Sequence, residues 1–203
     1  NDIHSLFHFG EFSRIYQSFL KMSNCIESNT IGSNEVFNFC LSNKIKLIYS
    51  ATSASIGNKG VDKDLSPYAF TKAKNLELLE NLKNWFNFKF EIIYFYNVYG
   101  PGQISKGSMA TVIGRFTHIH DTIEACYFAW KKNKCKHYSI SHKKSYTIIE
   151  VAQMFSDKIK FLPSRAGERY ASALTDMNLS NKVYKIFGKI NLKDYVKNIV
   201  KNS

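Results

Sequence analysis

Short apolar runs alternate with segments of helical periodicity through the first half of the chain. Residues 31–41 place apolar side chains at helical spacing, and residues 66–85 do so over a longer stretch that opens with a serine and a proline. Three further runs have the length and composition of buried strands: residues 5–9, 45–49 and 90–95. Strands that alternate with helices in this way predict an α/β protein whose parallel sheet is covered on both faces.

The second half is less regular. Asp121, followed by Glu124 three residues later, predicts a capping box at the start of a helix. Residues 147–155 have the spacing of another short helix, and residues 192–200 that of a closing one. No run of eighteen apolar residues occurs, so no membrane span is expected.

Charge is the unusual feature of the composition. Lys and Arg number 28 against 16 Asp and Glu, a formal net charge of +12. Such a surface attracts polyanions. However, the lysines are scattered, with their densest cluster at residues 131–136, and this favours a solvated basic surface over a nucleic-acid interface. Phosphorylated small molecules fit the charge equally well. Four widely spaced cysteines suit neither zinc nor a disulfide framework, and we expect a reducing cytosol.

The sharpest chemical pattern is Tyr68 followed by Lys72. Residues four apart project from one helix face, so the phenol and the ammonium share one site. A nearby ammonium favours phenolate and lowers the pKa of a tyrosine, which lets the tyrosine act as a base. Upstream, a predicted strand leads into Thr52, whose hydroxyl can hold or relay the same proton. The alternative is a surface Tyr and Lys on an amphipathic helix.

These residues, with others along the chain, resemble the extended short-chain dehydrogenase/reductases, the NAD-dependent nucleotide-sugar epimerase/dehydratase family. The matching segments run in family order over nearly the whole chain: residues 8–10, 29–34, 48–52, 68–72, 95–102, 116–121 and 165–168. The resemblance implies a Rossmann-type parallel sheet with helices on both faces and a smaller C-terminal substrate-binding lobe. It also implies bound NAD, a nucleotide-diphosphate sugar as substrate, no metal, and a homodimer packed through the helix that carries Tyr68.

The resemblance also implies the roles of individual residues. Thr52, Tyr68 and Lys72 would form the catalytic set: Tyr68 as the acid/base, Lys72 beside it and on the nicotinamide ribose, and Thr52 on the sugar hydroxyl. The remaining expected cofactor residues are Phe9, Gly10, Glu11, Asn29 and Tyr96. Asn29 matches the asparagine that supports the cofactor loop, and Glu11 stands where the family has a small residue. The expected substrate residues are Asn97 and Arg165, a guanidinium being suited to phosphate.

The chain departs from the family pattern in two places. It contains no strand–GxxGxxG–helix segment for the NAD pyrophosphate, and its residues 107–117 are continuous where the family has a few tens of residues more. We therefore expect residues 1–103 to be an NAD-binding domain without its N-terminal part. Residues 104–203 would be mainly an incomplete substrate lobe, with a segment that returns to the first domain. Both departures predict that the sequence represents parts of a longer protein.

The residues that follow Thr52 bear on the reaction. Nucleotide-sugar dehydratases of this family carry acidic residues there, whereas this chain has Ser53 and Ala54. The resemblance therefore favours an epimerase, in which hydride passes to bound NAD, the keto-sugar rotates and the hydride returns. The alternatives are another NAD(P)-dependent oxidoreductase or dehydratase of the family, and a basic anion- or RNA-binding module that kept the fold without the activity.

Overall fold

The computed structural model describes residues 3–55, 62–102, 116–144, 146–161, 163, 166–167 and 183–201. Its strands are β1 (Ser5–His8), β2 (Lys46–Thr52), β3 (Phe90–Phe95), β4 (Asn97–Tyr99), β5 (Phe116–His118), β6 (His137–His142) and β7 (Val183–Gly188). Its α-helices are α1 (Ile15–Leu20), α2 (Met22–Ile26), α3 (Ser33–Ser42), α4 (Pro67–Phe86), α5 (Ile119–Lys132), α6 (Ile148–Gln153) and α7 (Leu192–Lys201). A π-helical turn (Glu27–Gly32) joins α2 to α3.

Five strands form one parallel sheet in the order β1-β2-β3-β6-β7. The short strands β4 and β5 pair with each other, also in parallel. Because all five strands of the main sheet point the same way, their carboxyl ends lie along one edge, where ligands bind in such folds. The predicted α/β class with a Rossmann-type sheet is confirmed. Strands β6 and β7 both belong to this sheet, and the expected division at residue 103 stays a prediction.

Helices cover the sheet on its two faces. Alternate side chains of β2 and β3, such as Tyr49 and Ile92, pack against α3 and α4. Side chains of opposite orientation, Ile48 and Ile93, pack against α5. This two-residue alternation is the geometry of a pleated strand buried on both sides, and it explains why the two strands are mainly apolar on both faces.

The sequence pattern missed three parts of this fold. Helices α1 and α2 occupy a stretch that reads as polar, and their buried residues are Ser18 and Cys25, whereas Leu20 and Met22 are exposed. Strands β6 and β7 were also not predicted. Their polar and aromatic mixture contains no apolar run of strand length, although parallel pairing with β3 orders β6 and parallel pairing with β6 orders β7.

The predicted capping box at Asp121 was wrong. Helix α5 begins earlier, at Ile119, and its N-cap is His118, whose Nδ1 accepts the backbone N–H of His120 at 3.3 Å. The carboxylate of Asp121 is buried in the first turn and accepts the backbone N–H groups of Lys189 and Ile190, each at 3.1 Å. Asp121 therefore fastens the end of β7 to α5 instead of starting the helix.

A buried ion pair lies at the amino end of β2 and β3, opposite the edge where ligands are expected. Lys46 Nζ lies 3.3 Å from the Glu91 carboxylate, and the Glu91 side chain is fully buried. The same carboxylate accepts three successive backbone N–H groups from residues 134–136, at 2.6 to 3.1 Å. Glu91 thus ties the turn before β6 to the strand beside it.

Within the described ranges, no helix combines the length and apolar character needed to cross a membrane. Among those same residues, no group of three or more His, Cys, Asp or Glu side chains is placed to hold a metal ion. All four cysteines are free thiols, and the expected cytosolic location stays a prediction.

Candidate active site

Helix α4 brings Tyr68 and Lys72 to the carboxyl end of β2. Ser66 caps this helix by accepting the backbone N–H of Ala69 at 3.1 Å, and Pro67 occupies the first turn, where its missing N–H costs nothing. The backbone N–H of Tyr68 donates to Ser18 Oγ on α1 at 3.2 Å. The cap and the α1 contact thus fix the turn that carries the tyrosine. Its side chain is partly buried.

Lys72 is buried against β2. Only 4% of the residue is exposed, and its Nζ donates to the backbone oxygen of Ser50 at 2.5 Å. Nζ also lies 4.7 Å from the centre of the Tyr49 ring, which adds a cation–π contact. Thr52, two residues beyond Ser50, ends the strand and is buried. The structure therefore places Lys72, one turn beyond Tyr68, against the end of the strand that carries Thr52.

Glu11 is the ionic partner of Lys72. Its carboxylate forms a salt bridge with Nζ, and its side chain is only 2% exposed. The other carboxylate oxygen, Oε1, accepts hydrogen bonds from Ser33 Oγ at 2.7 Å, Tyr49 Oη at 2.9 Å and Asn75 Nδ2 at 3.2 Å. Each carboxylate oxygen has two lone pairs, so Oε1 is fully used, whereas Oε2 has Lys72 as its one donor among the described residues.

Asn29 holds the loop after β1 in place. Its Oδ1 accepts the backbone N–H of Phe12 at 2.7 Å, and its Nδ2 donates to the carbonyl oxygen of Phe12 at 3.1 Å. The same Nδ2 reaches Thr71 Oγ1 on α4 at 3.1 Å. Asn29 is fully buried. It therefore joins the loop that contains Glu11 to the helix that contains Lys72.

Burial and charge set the protonation of the groups around this pair. Burial lowers the pKa of Lys72, and the Glu11 carboxylate opposes that shift. Burial, together with Glu11, holds the pKa of Tyr49 well above its usual value. Burial also lowers the pKa of His8, whose Nε2 lies 3.0 Å from Ser33 Oγ. Near neutral pH these shifts keep Tyr49 and His8 uncharged, which leaves Glu11 and Lys72 as the charges of the cluster.

Four of the remaining predicted residues lie next to strand ends along the same edge of the sheet. Phe9 is 46% exposed, and Gly10 faces space in which an added Cβ would meet no atom within 4 Å. Tyr96 is buried directly after β3, and Asn97 opens β4, paired with Phe116 of β5. Arg165 lies outside the described residues. The cofactor and substrate contacts of all these residues stay predictions.

The donors and open space at this edge fit a dinucleotide. An ammonium has three N–H donors, and Glu11 and Ser50 take two of those of Lys72. Among the described residues the third has no hydrogen-bond acceptor, which suits a ribose hydroxyl. Exposed Phe9 and the open side of Gly10 lie on the loop that Asn29 fastens to α4. The fit concerns the positions of the protein's own atoms.

Sequence reasoning missed the residues that hold Glu11. Ser33, Tyr49 and Asn75 come from α3, β2 and α4, and each reads locally as part of its own element. Asn75 carried a signal, because it lies three residues after Lys72 and so on the same face of the helix. The other two could be found only from the packing of three elements around one loop.

A parallel Rossmann-type sheet, with Thr52 at the end of its second strand and Tyr68 and Lys72 on the helix beside it, defines an extended short-chain dehydrogenase/reductase. More narrowly, the chain belongs to the NAD dependent epimerase/dehydratase family, whose sequence model matches residues 1–123.

Individual relatives include both epimerases and a dehydratase. The chain is 29% identical over 135 residues to an ADP-L-glycero-D-manno-heptose-6-epimerase from Brachyspira hyodysenteriae, and this match spans 62% of the chain but only 41% of that protein. A UDP-glucose 4-epimerase from Thermotoga maritima, solved with UDP-glucose, has a TM-score of 0.82 at 19% identity, over 98% of this chain and 76% of that one. A dTDP-glucose 4,6-dehydratase from Streptomyces venezuelae, solved with NAD, has a TM-score of 0.79 at 15% identity, over 98% and 72%. At these identities the two structures support the fold alone.

Proposed function

We propose that this protein is an NAD-dependent nucleotide-sugar epimerase with Tyr68 as its acid/base. The observation that carries the proposal is the burial of Lys72 against the Ser50 carbonyl, at the end of the strand that leads into Thr52. Apolar residues in place of the whole buried Glu11–Lys72 pair would serve stability at least as well, so stability alone does not account for the ammonium. It has a chemical use, because it stabilises a phenolate.

In this proposal the chain's own residues move one proton and orient the sugar. Thr52 holds the reacting sugar hydroxyl, and Tyr68 takes the hydroxyl proton as the carbon is oxidised and returns it when the carbon is reduced. Lys72 favours the phenolate form that Tyr68 has before it takes this proton and again after it returns it. NAD, when bound, supplies the hydride acceptor and afterwards the hydride donor. Phe9, Gly10, Glu11, Asn29 and Tyr96 are the proposed cofactor residues.

The choice of an epimerase over a dehydratase depends on the turn after Thr52. Elimination of water needs an additional acid and base, and this turn, Ser53–Ser55, contains only serine and alanine. The hydroxyl of Ser55 is already used, since it donates to the carbonyl oxygen of Thr52 at 2.7 Å. The heptose epimerase among the relatives supports the same choice, and a nucleoside-diphosphate sugar is the proposed substrate. Asn97 and Arg165 are its proposed contacts.

A homodimer is part of the proposal. Helices α1 and α2 and the start of α4 present a shared apolar groove, lined by side chains that are each at least 40% exposed: Phe19, Met22, Ile26, Leu65 and Phe70. A second copy of the same helices would cover this groove, and Tyr68 lies two residues from Phe70.

The first experiment identifies the small molecule that the purified protein releases on denaturation, by absorbance and mass. An epimerase recycles its cofactor, so we expect NAD to be released. Incubation with ADP-, UDP-, GDP- and dTDP-sugars should then interconvert two epimers without loss of water. A product lighter by one water would contradict the epimerase and support the dehydratase alternative. Protein that neither releases nor binds NAD or NADP would leave the anion-binding alternative.

The second experiment is the Tyr68→Phe substitution. Removing the acid/base should lower kcat by about a hundredfold or more, while the fold and NAD content stay unchanged. Tyr127→Phe is the matched control, because Tyr127 is exposed on α5 on the opposite face of the sheet. Equal kcat values for the two variants would refute the role of Tyr68.

A further inference from the structure

The pairing of Lys72 with Glu11 has a consequence for Tyr68, because the charge of the ammonium is shared. In the proposed mechanism Lys72 stabilises a phenolate through its positive charge. A carboxylate in direct contact with the same ammonium cancels most of that charge as seen from a third group nearby. The effect is large in this cluster, since both side chains are nearly excluded from water, at 5% and 2% exposure.

We propose that Glu11 is a positioning residue that holds the Lys72 ammonium against β2 and, by offsetting its charge, raises the pH at which Tyr68 loses its proton. The proposal rests on the proposed function only in giving Tyr68 a catalytic role.

Four elements fix the carboxylate. Ser33 on α3, Tyr49 on β2 and Asn75 on α4 donate to Oε1, and the loop that contains Glu11 is fastened through Asn29. Asn75 in addition donates to the carbonyl oxygen of Asn29 at 2.6 Å. If Glu11 were only a tolerated replacement for the small residue that the family has at this position, three side chains from three different elements would not bind it. These contacts fix the position of the Glu11 carboxylate within the site.

The titratable groups beside the pair are His8 on β1, Cys25 on α2 and Tyr49 on β2, and Tyr68 lies one helical turn before Lys72 on α4. Burial keeps the pKa of His8 low and the pKa values of Cys25 and Tyr49 high, so each of the three is neutral near neutral pH. Glu11, Lys72 and Tyr68 are then the groups whose charges decide the first proton loss.

The sign of the effect follows from charge counting. With Glu11 ionised, Lys72 protonated and Tyr68 neutral, the set has no net charge, and losing a proton makes it negative. With glutamine at position 11 the set begins with one positive charge, and losing a proton makes it neutral. Because a buried site resists net charge of either sign, Glu11→Gln makes the Tyr68 proton easier to lose as long as Lys72 keeps its own proton.

The test is an ultraviolet titration of tyrosinate, which needs neither substrate nor activity. Each protein is measured alongside its Tyr68→Phe counterpart, so that the difference isolates Tyr68 from the other tyrosines. We expect the Tyr68 midpoint of Glu11→Gln to fall by about one pH unit relative to wild type. Glu35→Gln removes the same charge from an exposed site on α3 and should leave the midpoint unchanged. An unchanged midpoint in folded Glu11→Gln overturns the proposal, and so does a raised one, which would show that Glu11 keeps Lys72 charged rather than offsetting its charge.

Glu11→Asp separates charge from contact. It retains the carboxylate but retracts it by one methylene, so its Tyr68 midpoint should stay near that of wild type. A midpoint equal to that of Glu11→Gln would overturn the proposal, because charge would then not be the cause. In active enzyme the pH profile of kcat/KM should move in the same direction as the titration. A shifted titration without turnover of any nucleotide sugar would refute the proposed function and leave the inference about Glu11 standing.

If Glu11→Gln does not fold, a thermodynamic cycle tests whether Glu11 acts through Lys72. Lys72→Met alone leaves a buried carboxylate without its cation, whereas the Lys72→Met/Glu11→Gln double variant leaves no charge. We expect the double variant to melt at a higher temperature than Lys72→Met. A double variant that melts no higher would show that Glu11 does not act through Lys72, and would overturn the proposal.

Discussion

A buried ion pair lies at each end of β2, and the two pairs differ in the groups that they contact. Lys72 and Glu11 lie at the carboxyl edge, where the proposed mechanism gives their charges a chemical use. Lys46 and Glu91 lie at the amino end, where the carboxylate binds three backbone N–H groups and the ammonium donates to the carbonyl of Trp130 at 2.5 Å. The Lys46 ammonium therefore satisfies a backbone carbonyl in the last turn of α5, and the Glu91 carboxylate satisfies backbone N–H groups of the turn that follows this helix.

Glu91→Gln should destabilise the protein strongly. The substitution leaves the Lys46 ammonium buried without its carboxylate, and turns an amide N–H toward a cluster of backbone donors. We expect a loss of about 3 kcal/mol in the free energy of unfolding, measured by urea denaturation.

Glu77→Gln is the control for that measurement. Glu77 pairs with Lys74 at 2.8 Å on the surface of α4, where both side chains are half exposed. Water screens this pair, so its loss should cost less than about 0.5 kcal/mol. Similar losses for the two variants would show that burial does not strengthen the Lys46–Glu91 pair.

At the scale of elements, the sequence predicted what local chemistry decides. Ser66 and Pro67 mark the start of α4 because a hydroxyl cap and a proline at the first turn suit only that end of a helix. Strand β3 was predicted because its six residues, five of them apolar, have the length and composition of a buried strand. Strand β7 was missed because its residues show neither a strict alternation nor a long apolar run, and pairing with β6 gives them their strand geometry.

The candidate site likewise contains residues that the local sequence predicts and a residue whose contacts it does not predict. Tyr68 and Lys72 are visible in the sequence because one helix sets their spacing. The role of Glu11 is not visible, because its partners come from α3, β2 and α4, and only the packed structure joins them. Long-range contacts of this kind leave no periodic pattern in the chain.

The cap of α4 can be tested directly. Ser66→Ala leaves the backbone N–H of Ala69 without its acceptor and should cost about 1 kcal/mol in the free energy of unfolding. Because Tyr68 lies in this first turn, we also expect a reduced kcat. Ser66→Asp supplies another acceptor and should retain both properties. If alanine and aspartate behave alike in denaturation and kinetics, the cap does not hold the turn.

For the whole molecule, the apolar groove of α1, α2 and α4 makes a prediction about assembly. Phe70→Asp places a charge in the groove and should convert the proposed dimer into a monomer, seen by sedimentation velocity. Tyr127→Asp is the control, because Tyr127 is similarly exposed, at 56% against 46%, but lies on α5. A monomeric wild-type protein, or a Phe70→Asp variant that remains dimeric, would contradict an interface at this groove.

The order of the strands also has a consequence for synthesis on the ribosome. Strand β3 emerges long before β6, its neighbour in the sheet, and until β6 arrives the backbone of Ile92, Ile93 and Tyr94 has an open hydrogen-bonding edge. Such an apolar edge is a template for pairing with other chains, and non-local parallel pairing is slow to form. The nascent chain is therefore most prone to aggregation after β3 has emerged, and production should improve at low temperature or with chaperones that bind exposed strands.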